Sequence, residues 1–410
     1  MRMKRNKMLL IVVCLGLMQL SGCWNSRELN TLAIVSALGI DQGAGDNQYR
    51  LSFQVINPST VSSGQTGGTG GNRAPVTIVT ETGNSLFEII RKASVKAPRR
   101  LFFAHTRIIV FGEAAARRGV KQQLDYLTRN NEMRLTPQLF IARGTSAESI
   151  LRTVTPIEKI PANTVRGEIK MAERTWSEVA KTDIDDAIES FQGEGSEPTI
   201  PGIETIGDSK NSDKIDSAQQ TDPKSNTALK GLAMFKEGKM VRWLDGPDAR
   251  GTLWLKNKIR ATAVALDCER IKNGLAVEII RSKTKLKADI KHGQPSFQID
   301  VEVMSHVREV QCQLDISDPK VLEQLNTRLE DKIKAELHAA LNAALEQKSD
   351  IFGFGELIGR KYPKQWATMK NDWDDRFAKS EFNIHVTVST RESGMQIQPF
   401  LLPEKNNSRS

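Results

Sequence analysis

Apolar positions along the 410-residue chain change period several times, and each change marks an element. Residues 9–20, LLIVVCLGLMQL, form an apolar run of 12, short of the roughly 20 that span a bilayer. Residues 32–39, LAIVSALG, read as a buried strand ending in the turn chemistry of Asp41-Gln42-Gly43. Further strands are predicted over 49–56 and 76–80. Between them, 59–72 is glycine-rich but lacks the Gly-Lys-Ser/Thr ending of a phosphate cradle, so it reads as a hairpin loop. Leu86, Phe87, Ile89 and Ile90 predict a short helix capped at Asn84 or Ser85. Strand and helix then alternate over 101–111, 113–128, 135–142 and 146–153, the pattern of a mixed α/β domain.

The pattern thins after residue 182. Across 183–222 there are eleven acids against Lys210 and Lys214, with few large apolar residues, and the stretch reads as an acidic linker. Beyond it, 229–235 and 240–244 flank Lys236-Glu237-Gly238-Lys239, a hairpin signal. Strand-like stretches over 262–266, 275–280, 297–303 and 310–314 are separated by turns at Lys272-Asn273-Gly274 and His292-Gly293-Gln294-Pro295. Such short spacings favour antiparallel pairing. Asp318 and Pro319 supply an N-cap and a first-turn proline for a long helix. Its Leu322, Leu325, Leu329, Ile333, Leu337, Leu341 and Leu345 recur every three or four residues. A helical stretch over 365–378 and a strand over 383–389 complete a C-terminal α+β region.

The N-terminus changes the compartment. Arg2, Lys4, Arg5 and Lys7 precede the apolar run without an acid, the order of a signal peptide. Leu20-Ser21-Gly22-Cys23 then resembles the lipobox of bacterial lipoproteins, which implies cleavage before Cys23 and a diacylglyceryl thioether on its sulfur. An ordinary signal peptide with an incidental Cys23 accounts less completely for that order of charged, apolar and small residues. Removal of 1–22 leaves 388 residues and lowers the formal charge from +9 to +5, modest for the length, and export removes the chain from any genome. No nucleic-acid partner is expected.

The fold class expected is therefore α/β to α+β. It is a multi-domain ectodomain with a mixed α/β N-terminal domain and a C-terminal antiparallel sheet packed by a long helix. Its parts are a leader 1–22, an N-terminal domain 23–182, an acidic linker 183–226, a C-terminal region 227–395 and a tail 396–410. Within the C-terminal region, 227–260 is a candidate small domain. Charge is concentrated too: residues 85–131 carry ten Lys or Arg against Glu88, Glu113 and Asp125. That block reads as exposed faces of an α/β layer, the sharper alternative being attraction to anionic headgroups or a partner's acidic loops.

Candidate chemistry is sparse. The histidines at 105, 292, 306, 338 and 385 form no His-x-x-x-His pair, and no Cys-x-x-Cys or Gly-x-Ser-x-Gly motif occurs. Asp372, Asp374 and Asp375 read as one solvated helix face. No enzyme, metal or cofactor is expected. Cys268 and Cys312 are the thiols left after lipidation; outside the cytoplasm they either pair or sit as two buried hydrophobes.

Four stretches together resemble the Ger(x)C family, the lipoprotein C subunits of spore germinant receptors. They are CWNSRELN running into LAIVSALGID from Cys23, GLAMFKEGKMVRWLDGPDARGTLWL from Gly231, LDISDPK from Leu314, and DIFGFGE, RKYPKQW and KNDWDD between Asp350 and Asp375. Asn25 departs slightly from the family's Cys-Trp-Asp start. The resemblance implies a lipid-anchored protein on the outer surface of the spore inner membrane, associated with integral membrane A and B subunits and needed for nutrient-triggered germination without catalysis. A solute-binding lipoprotein of a transporter is the alternative, although its two lobes should be alike; a cell-wall hydrolase would need a paired acid or a metal set. The alternating Phe352, Gly353, Phe354 and Gly355 read as a glycine-permitted turn pinning the long helix, in preference to an exposed partner contact.

Overall fold

The computed structural model describes residues 31–391 apart from 46, 62–73, 156 and 208–224. The leader, the lipobox with Cys23, most of the 59–72 loop and the tail lie outside the described residues. A nine-stranded sheet organises the first half. Its strands are β1 (Leu32–Gln42), β2 (Tyr49–Ile56), β3 (Val76–Gly83), β4 (Arg100–Phe102), β5 (Ile108–Gly112), β6 (Gln138–Ala142), β7 (Thr199–Gly207), β8 (Ser225–Lys236) and β9 (Lys239–Leu244). The order is β3-β2-β1-β5-β6-β7-β8-β9, with β4 paired to the start of β1. Strands β1, β5, β6 and β7 are mutually parallel, while β2–β3 and β8–β9 flank them as antiparallel hairpins.

Both faces of this sheet are covered, which is why β1, β5 and β6 are apolar runs without alternation. Helices α1 (Leu86–Lys96), α2 (Glu113–Arg118) and α3 (Lys121–Arg129) pack on one face with Leu38, Phe53 and Phe111. On the other face, α4 (Ala147–Arg152) and α5 (Pro161–Thr175) cover Val110 and Phe140.

Several elements differ from the pattern reading, each for a local reason. Residues 101–111 form two strands, because the Thr106 hydroxyl and the Arg107 N–H bond to the carbonyls of Val35 and Ser36, where β1 shifts register. Gly119, at φ +135°, breaks 113–128 into α2 and α3. The largely polar stretch 161–175 is α5, held by a sparse stripe of buried Ala162, Val165 and Ile169.

The acidic linker expected over 183–226 is corrected for its first 25 residues. Asp183 and Asp186 form a capping box for α6 (Ile184–Gln192), and β7 is an interior strand of the sheet. Density of apolar residues misleads here: Ile184, Ala187, Ile200 and Ile203 are few but fully buried. The candidate small domain 227–260 is corrected likewise: its 229–244 hairpin completes the N-terminal sheet as β8 and β9. Its turn carries positive φ at Glu237 and Gly238, the mirror-image turn that suits strand twist.

The second half is α+β. Helix α7 (Pro247–Leu255) leads into β10 (Thr262–Cys268), β11 (Ile271–Lys291) and β12 (Gln294–Val310), an antiparallel meander. The β10–β11 turn lies at Glu269-Arg270, upstream of the expected Lys272-Asn273-Gly274, and residues 311–314 are not strand. Helix α8 (Pro319–Gln347) follows, with the Asp318 carboxylate accepting from the Lys320 N–H. Its Leu325, Leu329, Ile333, Leu337 and Leu341 are buried as the spacing predicts, each contributing roughly 1.5–3 kcal/mol relative to exposure. Residues 365–378 divide into α10 (Pro363–Met369), one 3-10 turn and α11 (Trp373–Ala378), preceded by α9 (Phe354–Lys361). The last strand, β13 (Glu381–Arg391), joins β12 in parallel.

Helices α7 and α8 meet at a close contact. A side chain at Gly251 would run into the Glu336 carbonyl, so only glycine admits this approach. Glu336, 1% exposed, holds Arg250 in an ion pair and accepts from the Trp254 indole N–H at 3.0 Å. No helix among the described residues is long and apolar enough to cross a membrane.

Candidate functional site

The motif-rich segment after α8 builds a buried knot. Lys348 ends the helix in the left-handed region at φ 50°, and the Ser349 hydroxyl donates to the Phe235 carbonyl at 2.6 Å. Asp350 follows, 3% exposed. One of its oxygens accepts from the N–H groups of Phe352, Gly353 and Phe354 at 3.1, 3.0 and 3.2 Å. The other accepts from the Gly355 N–H at 2.8 Å and the Trp373 indole at 3.1 Å. Four successive amides can converge on one carboxylate because Gly353 takes φ +79°. Burial pushes the Asp350 carboxyl up to about 6, opposed by these donors.

Phe352 and Phe354 turn inward. Phe354 is fully buried, with ring centroids 4.4 Å from Phe297 and 5.3 Å from Phe382. The Phe-Gly alternation is therefore a packed turn, and the exposed-contact reading does not hold.

Part of the acidic segment packs onto this turn. The Glu197 N–H donates to the Asp350 carbonyl at 2.8 Å. Glu194 accepts from the Trp366 indole at 3.1 Å and from Lys370 at 2.7 Å. Gly195, at φ +83°, lies so close that a Cβ there would sit 2.7 Å from the Gly355 Cα and 2.6 Å from Trp366. Nearby, Lys256 donates to the Thr199 hydroxyl at 3.1 Å, and burial lowers its amine to about 7. The knot thus ties β7 of the large sheet to α9 and α10. Its polar groups bond one another, an arrangement that fixes position.

A second motif residue, Asp41, ends β1 at the carboxyl edge of the parallel strands. A crevice of about 480 Å³ opens there between the ends of β1, β5 and β6, the place where open α/β sheets take ligands. Asp41 fills the anion position itself: its carboxylate accepts from the Ala147 and Glu148 N–H groups at 2.8 and 2.9 Å, at the start of α4. Burial raises the Asp41 carboxyl. Gly112 is required beside it, since a side chain there would collide with the carboxylate. Glu113 and Glu148 in the wall are paired with Arg117 and with Arg50 and Arg152, so the charges at the crevice are engaged with one another.

Of the residues singled out by sequence, Cys23 lies outside the described residues. Cys268 and Cys312 face each other with Cα atoms 6.1 Å apart, within the span that a disulfide bridges. The histidines do not converge: among the described residues no group of three His, Cys, Asp or Glu side chains is placed to hold a metal ion. Asp372, Asp374 and Asp375 each pair with a cation, respectively Arg376, Lys236 and Lys348. Sequence reasoning passed over Asp41, Asp350 and Glu336. The first two carry a faint signal, each lying at the edge of a motif that turns sharply; Glu336 carries none.

Comparison with known proteins also divides the chain in two, but its second part begins inside β8 and so takes in the hairpin that completes the first sheet. A model of the spore germination protein N-terminal domain matches residues 25–205, and one of the spore germination B3/GerAC-like C-terminal domain matches 230–394. Spore germination protein KC of Bacillus subtilis (strain 168) is 37% identical, covering 97% of this chain and 98% of that one. Spore germination protein B3 of the same organism is 24% identical, over 90% and 94%. The crystal structure of the GerBC protein superposes with a TM-score of 0.54 at 21% identity, covering 86% of this chain and 96% of the other, and so shares the fold. Because both family domains are matched in order over most of its length, the chain belongs to the Ger(x)C family of spore germination proteins.

Proposed function

We propose that this protein is the lipid-anchored C subunit of a nutrient germinant receptor. In this reading it is held on the outer surface of the spore inner membrane by Cys23 and is needed for assembly with integral membrane A and B subunits. The observation that carries the reading is a lipobox, Leu20 to Cys23, running directly into a family match over 25–205 and 230–394. A diacylglyceryl group would hold the chain stably, at roughly 0.8 kcal/mol per buried methylene. The work left to the folded part is to present surfaces to partners, for which a reactive centre is not required.

Two experiments test the reading. Cys23→Ala should leave an uncleaved precursor that takes up no radiolabelled lipid; label on the variant, or a mature chain starting at Asn25 or later, would contradict the anchor. Deleting the gene in a strain stripped of paralogous receptors should abolish germination to one nutrient set. Sporulation, and germination by agents that bypass receptors, should remain. A deletion strain that answers every nutrient normally would remove the receptor role.

Cys268 and Cys312 enter the same reading as a disulfide of an exported protein, closing a loop of 44 residues. On the chain-entropy estimate it stabilises the C-terminal region by up to about 4 kcal/mol. Alkylation of the denatured, unreduced chain should find neither thiol free, and reduction should expose both. Two free thiols before reduction would dispose of the bond.

A further inference from the structure

A groove of about 630 Å³ runs between α5 and the amino ends of β5 and β6. Arg166, Lys170 and Arg174 recur every fourth residue along one side of α5 and line it, and Arg107, Lys181 and Arg260 face them. Against these six cations the wall holds two carboxylates, Glu158 and Glu173. Glu173 is already engaged by the Lys181 N–H at 2.9 Å, and Lys181 itself lies 3.6 Å from Asp183. The other five cations form no salt bridge among the described residues, and all are exposed. Elsewhere in the same half Arg100 pairs with Glu132 and Arg129 with Asp125, while Arg99 beside them forms no salt bridge among the described residues. Two amides in the wall, Gln138 and Asn163, each keep a buried oxygen without a hydrogen-bond partner. The groove therefore concentrates net positive charge in one place; the two amide oxygens are acceptors and would serve a headgroup hydroxyl, never its phosphate.

Its position narrows the occupant. Arg107 immediately precedes β5 and Gln138 begins β6, so the groove opens at the amino edge of the parallel strands. Strand β1 starts at that edge, as its pairing of Leu32 with Arg100 and Ala37 with Ile108 requires. Cys23 is nine residues upstream of Leu32, a reach of at most about 30 Å. A chain anchored at Cys23 is thus tethered from the side on which the groove opens. Two exposed apolar residues adjoin its lining in sequence, Ile157 next to Glu158 at 88% and Trp176 two after Arg174 at 49% exposure, the companions a membrane interface accepts. The chain's own acidic stretch 208–224 leaves from the end of β7, at the opposite edge.

We propose that this groove binds the headgroups of anionic phospholipids in the membrane that carries the anchor, so that the amino edge of the large sheet lies against the bilayer. The proposal rests on the anchor reading for orientation and on the groove for specificity. Each Lys or Arg held at an anionic surface shifts an equilibrium by about fivefold, roughly 1 kcal/mol, so a few together orient an anchored protein.

The acylated full chain, reconstituted on vesicles, tests it by the rate at which an amine-reactive reagent modifies Lys170, read by mass spectrometry. On phosphatidylcholine the acyl anchor alone holds the protein. With phosphatidylglycerol added, Lys170 should react about fivefold more slowly or less, and high salt should restore the rate. Arg166→Gln with Arg174→Gln should abolish the difference while leaving flotation on phosphatidylcholine unchanged. Equal Lys170 rates on the two lipids overturn the proposal. Protection that requires the integral membrane subunits, and appears on phosphatidylcholine, also overturns it by giving the groove to an acidic protein surface. If the chain fails to float with phosphatidylcholine, the anchor reading fails. The groove is then read from flotation with phosphatidylglycerol vesicles, which must occur and must be lost in the double variant.

Discussion

Asp350→Ala is expected to lower the melting temperature of the protein by about 8–15 °C, the shift that a loss on the order of 4 kcal/mol produces in a domain of this size. The side chain accepts five hydrogen bonds, four from consecutive backbone amides and one from the Trp373 indole. Alanine leaves all five donors without their acceptor inside the protein, and each buried unpaired donor costs about 1–3 kcal/mol before relaxation. Relaxation limits the sum, since the first turn of α9 can open to water. That opening would loosen Phe354 from Phe297 and Phe382 and so weaken the packing behind it. Asp350→Asn should fall between the two: its one oxygen still serves three amides, but its NH2 group faces the Gly355 and Trp373 donors. Calorimetry on the purified chain reads both variants. A melting point for Asp350→Ala within about 2 °C of the parent would show that the carboxylate does not organise the turn. In spores the same variant should lower the abundance of this protein.

Glu336→Ala should be comparably damaging, by about 3–5 kcal/mol, through a different mechanism. The carboxylate is the ion-pair partner of Arg250, whose side chain is 12% exposed, and it also accepts from the Trp254 indole. Removing it strands a charge and a donor between α7 and α8, where Gly251 already brings the backbones into contact. A buried ion pair is costly to halve and much less costly to remove whole. Glu336→Leu combined with Arg250→Met should therefore recover most of the lost stability. Urea unfolding midpoints of the single and double variants check this. If the double variant is no more stable than Glu336→Ala, the stranded charge is not the cause.

How much of this was legible depended on the range of the interaction. The long helix was readable because its signals are local: Asp318 and Pro319 at the start, and a leucine stripe whose period matches 3.6 residues. The split of 101–111 was not, since the bonds that interrupt it come from β1, some seventy residues earlier. The acidic stretch after 182 shows the limit of composition as a guide. Its aspartates cap a helix, and Ile184, Ile200 and Ile203 are fully buried, so a low apolar count concealed an interior strand. At the knot, the alternation of Phe and Gly announced a turn. Nothing in the order of residues says that Asp350 gathers its amides, or that Glu194 and Gly195 arrive from another domain to close it.

The chain alone thus determined the family motifs, the class of each half and the register of the leucine stripe. These depend on residues adjacent in sequence or repeated at a short period, and side-chain spacing carries that information directly. Tertiary structure decided which strands are neighbours, that β13 lies parallel to β12, and that the 229–244 hairpin belongs to the first sheet. It also decided that two cysteines 44 residues apart face each other, and that cations from α5, the start of β5 and the α7–β10 connection share one groove. Those facts follow from burial of faces across long separations, where many pairings satisfy the same local pattern and only the packed whole selects one.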